Sequence, residues 1–235
     1  MTTLHPRIAP ILDRVAELAD DGLVGLVILD LDSTALTTSF RQHRILADFA
    51  TQHPALRAVV ADIRPEEIGF LVETPLLRRG IDDPELLAAL RRFWASRFFS
   101  DPYCRLDRPN LGAPELARAI VSRGGLVYYL TARSRTMKLG TIEVLDRFDF
   151  PVLRGRAVLH MRPPRGGDDA AFKRGAMDEI RALGHPVVAT FENEPKHAHT
   201  YLEAFPDAVH VLFGDICSPS APEPDPQLLR LPSFV

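Results

Sequence analysis

Two aspartates stand two residues apart where packing alone does not explain them. Asp30 and Asp32 directly follow the apolar residues 23–29 and precede Ser33 and Thr34. Neighbouring carboxylates repel each other, and each resists desolvation unless a cation or hydrogen-bond donors compensate. A hard dication such as Mg²⁺ meets this need, because it prefers oxygen ligands and links carboxylates to a substrate phosphate. The alternative interpretation is a loop in which Ser33 or Thr34 caps a helix.

Polar residues that could serve the same site follow at three later points. Thr131 ends a second apolar run, and its hydroxyl could bind a phosphate oxygen, although helix capping would explain it equally well. Lys173 stands at or just before the start of a helix. Glu192 and Asn193 follow another apolar run, which again places an acid after a buried strand. Packing could explain polar residues at the end of one predicted strand, but it explains less well why they follow several strands in the same chain.

Alternating strands and helices must position these residues. Residues 23–29 form a nearly continuous apolar run, which is typical of a strand buried on both faces of a parallel sheet. Further strand candidates are residues 126–130, 187–191 and 208–213, with helical patterns between them. The sequence therefore predicts an α/β fold, with a Rossmann-like parallel sheet and helices on both faces. Ligands bind such sheets at the carboxyl ends of the strands.

The segment between the first two predicted strands has helical patterns and no convincing strand. Proline and glycine separate its helices. We expect an all-helical subdomain, residues 38–107, inserted into an α/β core of residues 1–37 and 108–235. After Gly214 the chain is rich in proline, which predicts an extended surface segment without regular structure.

Composition narrows the class of protein. The chain has 235 residues, of which 46% are hydrophobic and 25% charged, as in ordinary globular proteins. Its formal net charge of -3 gives no reason to expect a nucleic acid or an anionic membrane as partner. Cys104 and Cys217 lack zinc or redox spacing, which predicts free thiols. No apolar run has the length of a membrane span or the form of a signal peptide, so we expect a cytoplasmic location.

Two further groups of residues are assigned to structure rather than function. His197 and His199 are two residues apart, so on a helix they face different directions, and we expect them on a solvent-exposed helix. An aromatic cluster is expected to form the core of the helical subdomain rather than a base-stacking platform. Its members are Phe93, Trp94, Phe98 and Phe99.

These motifs resemble those of the haloacid dehalogenase (HAD) superfamily of phosphohydrolases, over residues 23–213. The most specific match is Asp30-Leu31-Asp32-Ser33-Thr34, since the first motif of the superfamily is Asp-x-Asp followed two residues later by Thr or Val. Thr131 matches the second motif, Lys173 the third, and Glu192-Asn193-Glu194 the fourth. The resemblance implies a HAD-like core, with the helical insertion as a cap that closes over the site.

The resemblance also implies catalytic roles. Asp30 would be the nucleophile that forms an aspartyl-phosphate, and Asp32 would protonate the leaving oxygen and then activate water. Thr131 and Lys173 would bind and orient the phosphoryl oxygens. The candidate substrate contacts lie beside the first two motifs. They are Ser33, Thr34, Ala132 and Arg133.

Mg²⁺ is the cofactor that the resemblance implies. Its ligands would be Asp30, the backbone carbonyl of Asp32 and Glu192, with Asn193 or Glu194 acting directly or through water. The fourth motif of the superfamily is usually built on Asp, so the longer Glu192 implies an altered coordination shell that still binds the metal. A competing placement of this motif at Gly214-Asp215 fits the order of the motifs less well.

An acid two residues after the nucleophile separates reaction classes in the superfamily. Dehalogenases lack one there and ion-pumping ATPases have Thr, so Asp32 favours a phosphatase or, less often, a phosphomutase. The resemblance therefore implies a Mg²⁺-dependent phosphomonoester hydrolase acting on a small phosphorylated metabolite. The alternatives are a non-catalytic binding or regulatory protein with the same fold, and a polynucleotide-end phosphatase.

Overall fold

A computed structural model of the protein describes residues 3–152, 155–164 and 167–235. The strands in these residues are β1 (Leu26–Leu29), β2 (Leu36–Thr37), β3 (Arg108–Pro109), β4 (Leu126–Ser134), β5 (Ala157–Arg162), β6 (Val187–Glu192), β7 (Val209–Phe213) and β8 (Leu229–Leu231). The α-helices are α1 (Ala9–Asp20), α2 (Ser39–Gln52), α3 (Arg57–Ala61), α4 (Thr74–Leu77), α5 (Pro84–Phe98), α6 (Asp101–Cys104), α7 (Ala113–Ser122), α8 (Lys138–Arg147), α9 (Asp169–Ala182) and α10 (Pro195–Ala204). Short 3₁₀ helices cover Pro6–Ile8, Pro54–Leu56, Pro65–Glu67 and Arg135–Met137.

One parallel sheet organises the molecule, with the strand order β5-β4-β1-β6-β7-β8. In the centre, Leu29 of β1 pairs with Tyr129 of β4 on one side and with Phe191 of β6 on the other. Because these three strands run in the same direction, the residues that follow them meet at one edge of the sheet. The predicted α/β fold with a parallel sheet is confirmed.

Both faces of the sheet are covered by helices. Val27 and Leu29 point into a core shared with α1, α7 and α8, whereas Leu26 and Ile28 point into a second core with α9 and α10. All four residues of β1 are buried, as the continuous apolar run predicts. The strand is therefore held from both sides, and the loop that follows it starts from a fixed position.

Helices α2 to α6 fill the segment for which the sequence predicts helices. The short strands β2 and β3 pair antiparallel, with Leu36 opposite Pro109, and so bring the two ends of this segment together. The segment, which we call the helical block (residues 38–107), has a hydrophobic core of its own that includes Leu46, Phe49 and Leu90. No helix in the described parts of the chain is long and apolar enough to cross a membrane.

The edge strand β5 was not predicted from the sequence. It pairs with β4, and most of its residues are only partly buried. Its sequence includes His160 and Arg162, so it lacks the continuous apolar pattern of a central strand. Cys104 and Cys217 are free thiols, as predicted.

The prediction of a C-terminal segment without regular structure holds for residues 215–228 and was wrong for the residues that follow them. After the prolines the chain forms β8, which pairs parallel with β7 so that Leu229 lies opposite Val211. Phe234 is fully buried and stacks on Phe213, with ring centroids 4.2 Å apart. Proline prevents strand pairing only where it stands. The apolar residues after Pro226 are therefore free to complete the sheet.

Candidate active site

A cavity of about 260 Å³ lies at the carboxyl ends of β1, β4 and β6, where the sheet faces the helical block. Asp30, Thr131, Lys173 and Glu192 all line it. The structure thus brings together one residue from each of the four motifs that the sequence analysis identified, although they are separated by up to 162 residues in the chain, from Asp30 to Glu192.

The candidate substrate contacts divide into two groups. Ser33, Ala132 and Arg133 line the cavity. Thr34 is fully buried and does not line it, and its hydroxyl donates instead to Oδ1 of Asn193 at 3.2 Å. Ser33 has a φ of 61°, a left-handed conformation that a residue with a side chain rarely adopts. The turn after β1 is thus strained next to the two aspartates.

Lys173, in the first turns of α9, binds two buried acids at once. Its Nζ donates to Oδ1 of Asp30 at 2.7 Å and to Oε2 of Glu192 at 2.6 Å. Burial raises the pKa of Asp30 to about 7, repulsion from Glu192 adds to the rise, and attraction to Lys173 opposes it. Burial would lower the pKa of Lys173, but attraction to the two acids raises it well above its ordinary value. Lys173 is therefore a charged group beside the candidate nucleophile.

Glu192 is held by four hydrogen bonds. Besides Lys173, the hydroxyl of Tyr201 donates to its Oε2 at 3.1 Å, and the backbone N–H groups of Asn193 and Glu194 donate to its Oε1 at 3.2 and 3.1 Å. Burial is the largest influence on Glu192 and would raise its pKa, but attraction to Lys173 and the hydrogen bonds from Lys173 and the backbone of Glu194 together keep the pKa below its ordinary value. Glu192 is consequently an ionised residue whose oxygens are already engaged.

Asp32 is bound by two arginines from different parts of the chain. Arg41 of α2 donates to its Oδ1 at 2.7 Å, and Arg133 of β4 donates to the same oxygen at 2.6 Å. Both arginines also donate to the fully buried Asp107. Burial would raise the pKa of Asp32, but attraction to Arg133 and Arg41 holds it well below its ordinary value. Asp32 is therefore ionised in this arrangement.

Several residues of the site were not predicted from the sequence. Arg41 and Asp107 gave no local signal, because each acquires its role from residues far along the chain. Tyr201 and His197 did give one, since they are four residues apart and share a face of α10. The prediction that His197 is exposed to solvent was wrong, because this face of α10 packs against the sheet and His197 lines the cavity. Burial, followed by repulsion from Lys173, lowers the pKa of His197 to about 4, so its ring is neutral.

The assignment of the aromatic cluster to the core of the helical block was correct only in part. Phe93 packs against Phe49 in that core. Trp94 also packs against that core but lines the cavity as well, whereas Phe98 and Phe99 line the cavity and do not belong to the core. Helix α5 therefore carries aromatic residues on two faces, one directed to the core of the block and one to the cavity.

The chemistry of the site fits an oxygen-liganded dication, although its side chains are not grouped around one metal position. Within the described ranges no three His, Cys, Asp or Glu side chains are arranged to hold a metal ion. Asp30 and Glu194 nevertheless line the same cavity. Oε2 of Glu194 is buried and accepts no hydrogen bond from any residue that the structure describes. A buried carboxylate oxygen without a donor can be stabilised by a cation.

Comparisons with known proteins agree with this architecture. No family model and no curated protein matches the sequence. A solved structure of a HAD-superfamily hydrolase of subfamily IA from Geobacter sulfurreducens is similar, with a TM-score of 0.54 and 13% identity over 90% of this chain and 93% of that one. A HAD-superfamily hydrolase from Ehrlichia chaffeensis is similar with a TM-score of 0.50 and 11% identity, over 89% of this chain and 91% of that one. A candidate phosphatase from Clostridium difficile is similar with a TM-score of 0.51 and 10% identity, over 81% of this chain and 85% of that one.

These similarities define the fold. At 10–13% identity they relate backbone architecture rather than activity. The chain has the fold of the HAD-like hydrolases, and the resemblance drawn from the sequence motifs is confirmed at that level.

Proposed function

We propose that the chain is a phosphomonoester hydrolase with Asp30 as its nucleophile. The observation that supports this most strongly is the position of Asp30 after the central strand, 2.7 Å from Nζ of Lys173 and in the same cavity as Thr131. A carboxylate, a fixed cation and a hydroxyl are the groups that phosphoryl transfer to a carboxylate requires. The HAD-like fold of the chain supports the same reaction.

The proposed reaction has two steps. A carboxylate oxygen of Asp30 attacks phosphorus while the bond from phosphorus to the leaving oxygen breaks, which gives an aspartyl-phosphate and an alcohol. Lys173, which remains charged, and the Thr131 hydroxyl bind the phosphoryl oxygens during this transfer. Water then attacks the aspartyl-phosphate, which releases inorganic phosphate and restores Asp30.

Asp32 is the proposed proton carrier. The hydrogen bonds from Arg41 and Arg133 favour its ionised form, which is the form that accepts the proton of the attacking water. Protonation of the leaving oxygen requires that Asp32 first take up a proton and exchange its contacts with the arginines for contacts with the substrate. We therefore expect substrate binding to rearrange these ion pairs.

The proposed cofactor is Mg²⁺, held by Asp30, the backbone carbonyl of Asp32 and Glu194. When bound, it would supply positive charge that offsets the charge of the phosphate. Glu192 and Asn193, which the motif comparison implies as ligands, are already hydrogen-bonded to protein groups. Each would contribute through water or by exchanging one of these hydrogen bonds.

The proposed substrate is a small phosphate ester, and the helical block is proposed to act as the cap over it. A cavity of about 260 Å³ suits a metabolite. The net charge of -3 does not favour a polynucleotide end. A cytoplasmic location, in keeping with the free thiols Cys104 and Cys217, is part of the same proposal.

A binding or regulatory protein without turnover is the second candidate, and one observation favours it. Lys173 already forms ion pairs with both Asp30 and Glu192, so these acids have a cationic partner in the protein itself. In that case the protein would bind neither magnesium nor a phosphate ester productively.

Phosphate release distinguishes the two candidates. The native protein, Asp30→Asn and the surface control Asp178→Asn are assayed with p-nitrophenyl phosphate and a panel of metabolite phosphates, in magnesium and in EDTA. We expect magnesium-dependent activity that falls on the order of 10³-fold or more in Asp30→Asn and stays unchanged in Asp178→Asn. Absence of activity on every substrate, together with no magnesium binding by calorimetry, would favour the non-catalytic candidate.

A further inference from the structure

We propose that the helical block carries a subsite for a planar heteroaromatic ring, so that the substrate is a phosphate ester whose alcohol bears such a ring. The inference rests on the proposed function for the phosphate end of the cavity, and it concerns the opposite wall. We call this wall the aromatic subsite. Its residues are Gln42, Phe70, Trp94, Phe98 and Phe99, all of which line the same cavity as Asp30.

The rings of the aromatic subsite form a packed platform. Trp94 and Phe98 are stacked, with ring centroids 4.5 Å apart and an interplanar angle of 27°. Phe99 meets both of them edge to face, at centroid distances of 5.5 and 5.1 Å. Aromatic rings prefer these stacked and edge-to-face arrangements, and a planar ligand ring extends them favourably.

Two of these rings are poorly covered by the protein. Phe99 is 55% exposed and Phe70, from the segment before α4, is 44% exposed. Phe93 and Trp94 of α5 both pack against the core of the helical block, whereas Phe70 and Phe99 are not part of that core. These two exposed rings are thus not needed to fill it. Large apolar side chains left uncovered beside a candidate catalytic site are characteristic of ligand recognition.

Phe98 is held in place from behind. The guanidinium of Arg41 lies 4.0 Å from its ring centroid, and the same side chain donates to the backbone oxygen of Phe98 at 2.8 Å. Trp94 and Arg41 thus hold the Phe98 ring between them, and the ring in turn fixes Trp94 for contact with a ligand. The platform is therefore preorganised, and its orientation is tied to the arginine that also binds Asp32.

Polar atoms in the same wall indicate a heteroaromatic rather than a hydrocarbon ring. Gln42 is only 3% exposed, and its Nε2 donates to the backbone oxygen of Gly69 at 3.0 Å. Its Oε1 accepts no hydrogen bond, and Nε1 of Trp94 donates none, to any residue in the described parts of the chain. Buried polar atoms of native proteins are normally paired. A ring that carries both an N–H and an acceptor would supply partners for both atoms once the two side chains turn these enclosed atoms into the cavity.

Binding of matched phosphonates tests the aromatic subsite without requiring turnover. The probes are 2-(uracil-1-yl)ethylphosphonate, 2-phenylethylphosphonate and 2-cyclohexylethylphosphonate, which share the linker and the anionic group. We expect the phenyl probe to bind about 5- to 10-fold more tightly than the cyclohexyl probe, and the uracil probe to bind more tightly still. Affinities are measured by calorimetry with magnesium present. Trp94 is the only tryptophan of the chain, so the uracil and phenyl probes should also change its emission.

Two variants test which side chains cause the two expected differences in probe affinity. Trp94→Leu should remove the preference for phenyl over cyclohexyl, and Gln42→Met should remove the preference for uracil over phenyl while leaving the cyclohexyl affinity unchanged. Gln52→Met, at the exposed end of the same helix α2, is the control and should change none of the affinities.

The outcomes distinguish a failure of the aromatic subsite from a failure of the proposed hydrolysis. Equal affinity for the phenyl and cyclohexyl probes, or a preference that persists in Trp94→Leu, would overturn the aromatic subsite even if the protein hydrolyses phosphate esters. The expected order of affinities without phosphate release from the corresponding esters would support the subsite and contradict the hydrolase proposal.

Discussion

Arg41 donates a hydrogen bond to Asp32 at 2.7 Å. This bond connects the proposed proton carrier, in the loop after β1, to the first helix of the helical block. Arg41 is fully buried and also binds Asp107, the last residue of the block. Both ends of the insertion therefore meet at the loop after β1. A shift of the helical block relative to the sheet cannot leave the environment of Asp32 unchanged.

Replacing Arg41 by methionine should destabilise the protein strongly. Arg41→Met leaves the buried Asp107 with one arginine instead of two, and breaking a buried ion pair by removing one partner costs about 3–5 kcal/mol. Arg44→Met is the control, because Arg44 lies on the same helix but is 62% exposed in its pair with Asp48, and its loss should cost less than about 1 kcal/mol. Urea denaturation measures both. Equal losses for the two variants would contradict the structural role of the buried network.

Asp30 should make the stability of the metal-free protein depend on pH. Its pKa in the folded protein, about 7, lies above the ordinary value of 3.8. The folded state thus holds a proton that the unfolded chain releases, so this contribution to stability is complete below the ordinary value and is lost as pH rises through about 7. In EDTA, the free energy of unfolding of the native protein relative to Asp30→Asn should fall by on the order of 2–4 kcal/mol between about pH 5 and pH 8. Asp178→Asn should track the native protein, and a flat difference for Asp30→Asn would show that Asp30 is not perturbed.

Two glycines in helices should respond in opposite ways to alanine. A Cβ on Gly140 of α8 would lie 2.5 Å from the backbone oxygen of Asp101 and 2.6 Å from Sγ of Cys104, so Gly140→Ala should cost about 1–3 kcal/mol. Gly175 of α9 has no atom within 4 Å of that position, and Gly175→Ala should stabilise the protein by about 0.5–1 kcal/mol. Thermal or urea unfolding measures both. A gain in stability for Gly140→Ala would mean that α6 and α8 are not in close contact.

Phe234 should contribute to stability as a core residue. Phe234→Ala removes a fully buried ring that stacks on Phe213, and such truncations cost about 3–5 kcal/mol. Leu139→Ala removes a side chain that is 72% exposed and should change stability by less than about 0.5 kcal/mol. If Phe234→Ala were as mild as the control, the C-terminal segment would not be packed on the sheet.

The sequence revealed those parts of the fold and site that depend on local patterns. The run before Asp30 identified the central strand, because burial on both faces leaves a continuous apolar signal. Thr131, Lys173 and Glu192 were found for the same reason, since each stands beside a recognisable strand or helix. Arg41 was not found, because its partner Asp107 is 66 residues away and neither residue is unusual in its own neighbourhood.

The predictions were also wrong where a segment is short or where packing decides its exposure. Strand β8 has three residues after a proline-rich stretch, and it is a strand only because β7 offers an unpaired edge. His197 was assigned to solvent because of its spacing to His199, although the packing of α10 decides its exposure. The pairing of β8 and the burial of His197 both depend on tertiary contacts, which cannot be seen in a short stretch of sequence.

The position of Phe234 bears on how the protein is made. Because residues 229–234 supply the sixth strand and a ring of the central core, the sheet cannot be completed while they are still inside the ribosome exit tunnel. Until then β7 presents an open strand edge and Phe213 lacks its stacking partner, which is the kind of surface that chaperones bind and that aggregates form from. This chain should therefore be most prone to aggregate in the interval between the synthesis of β7 and the docking of residues 229–234.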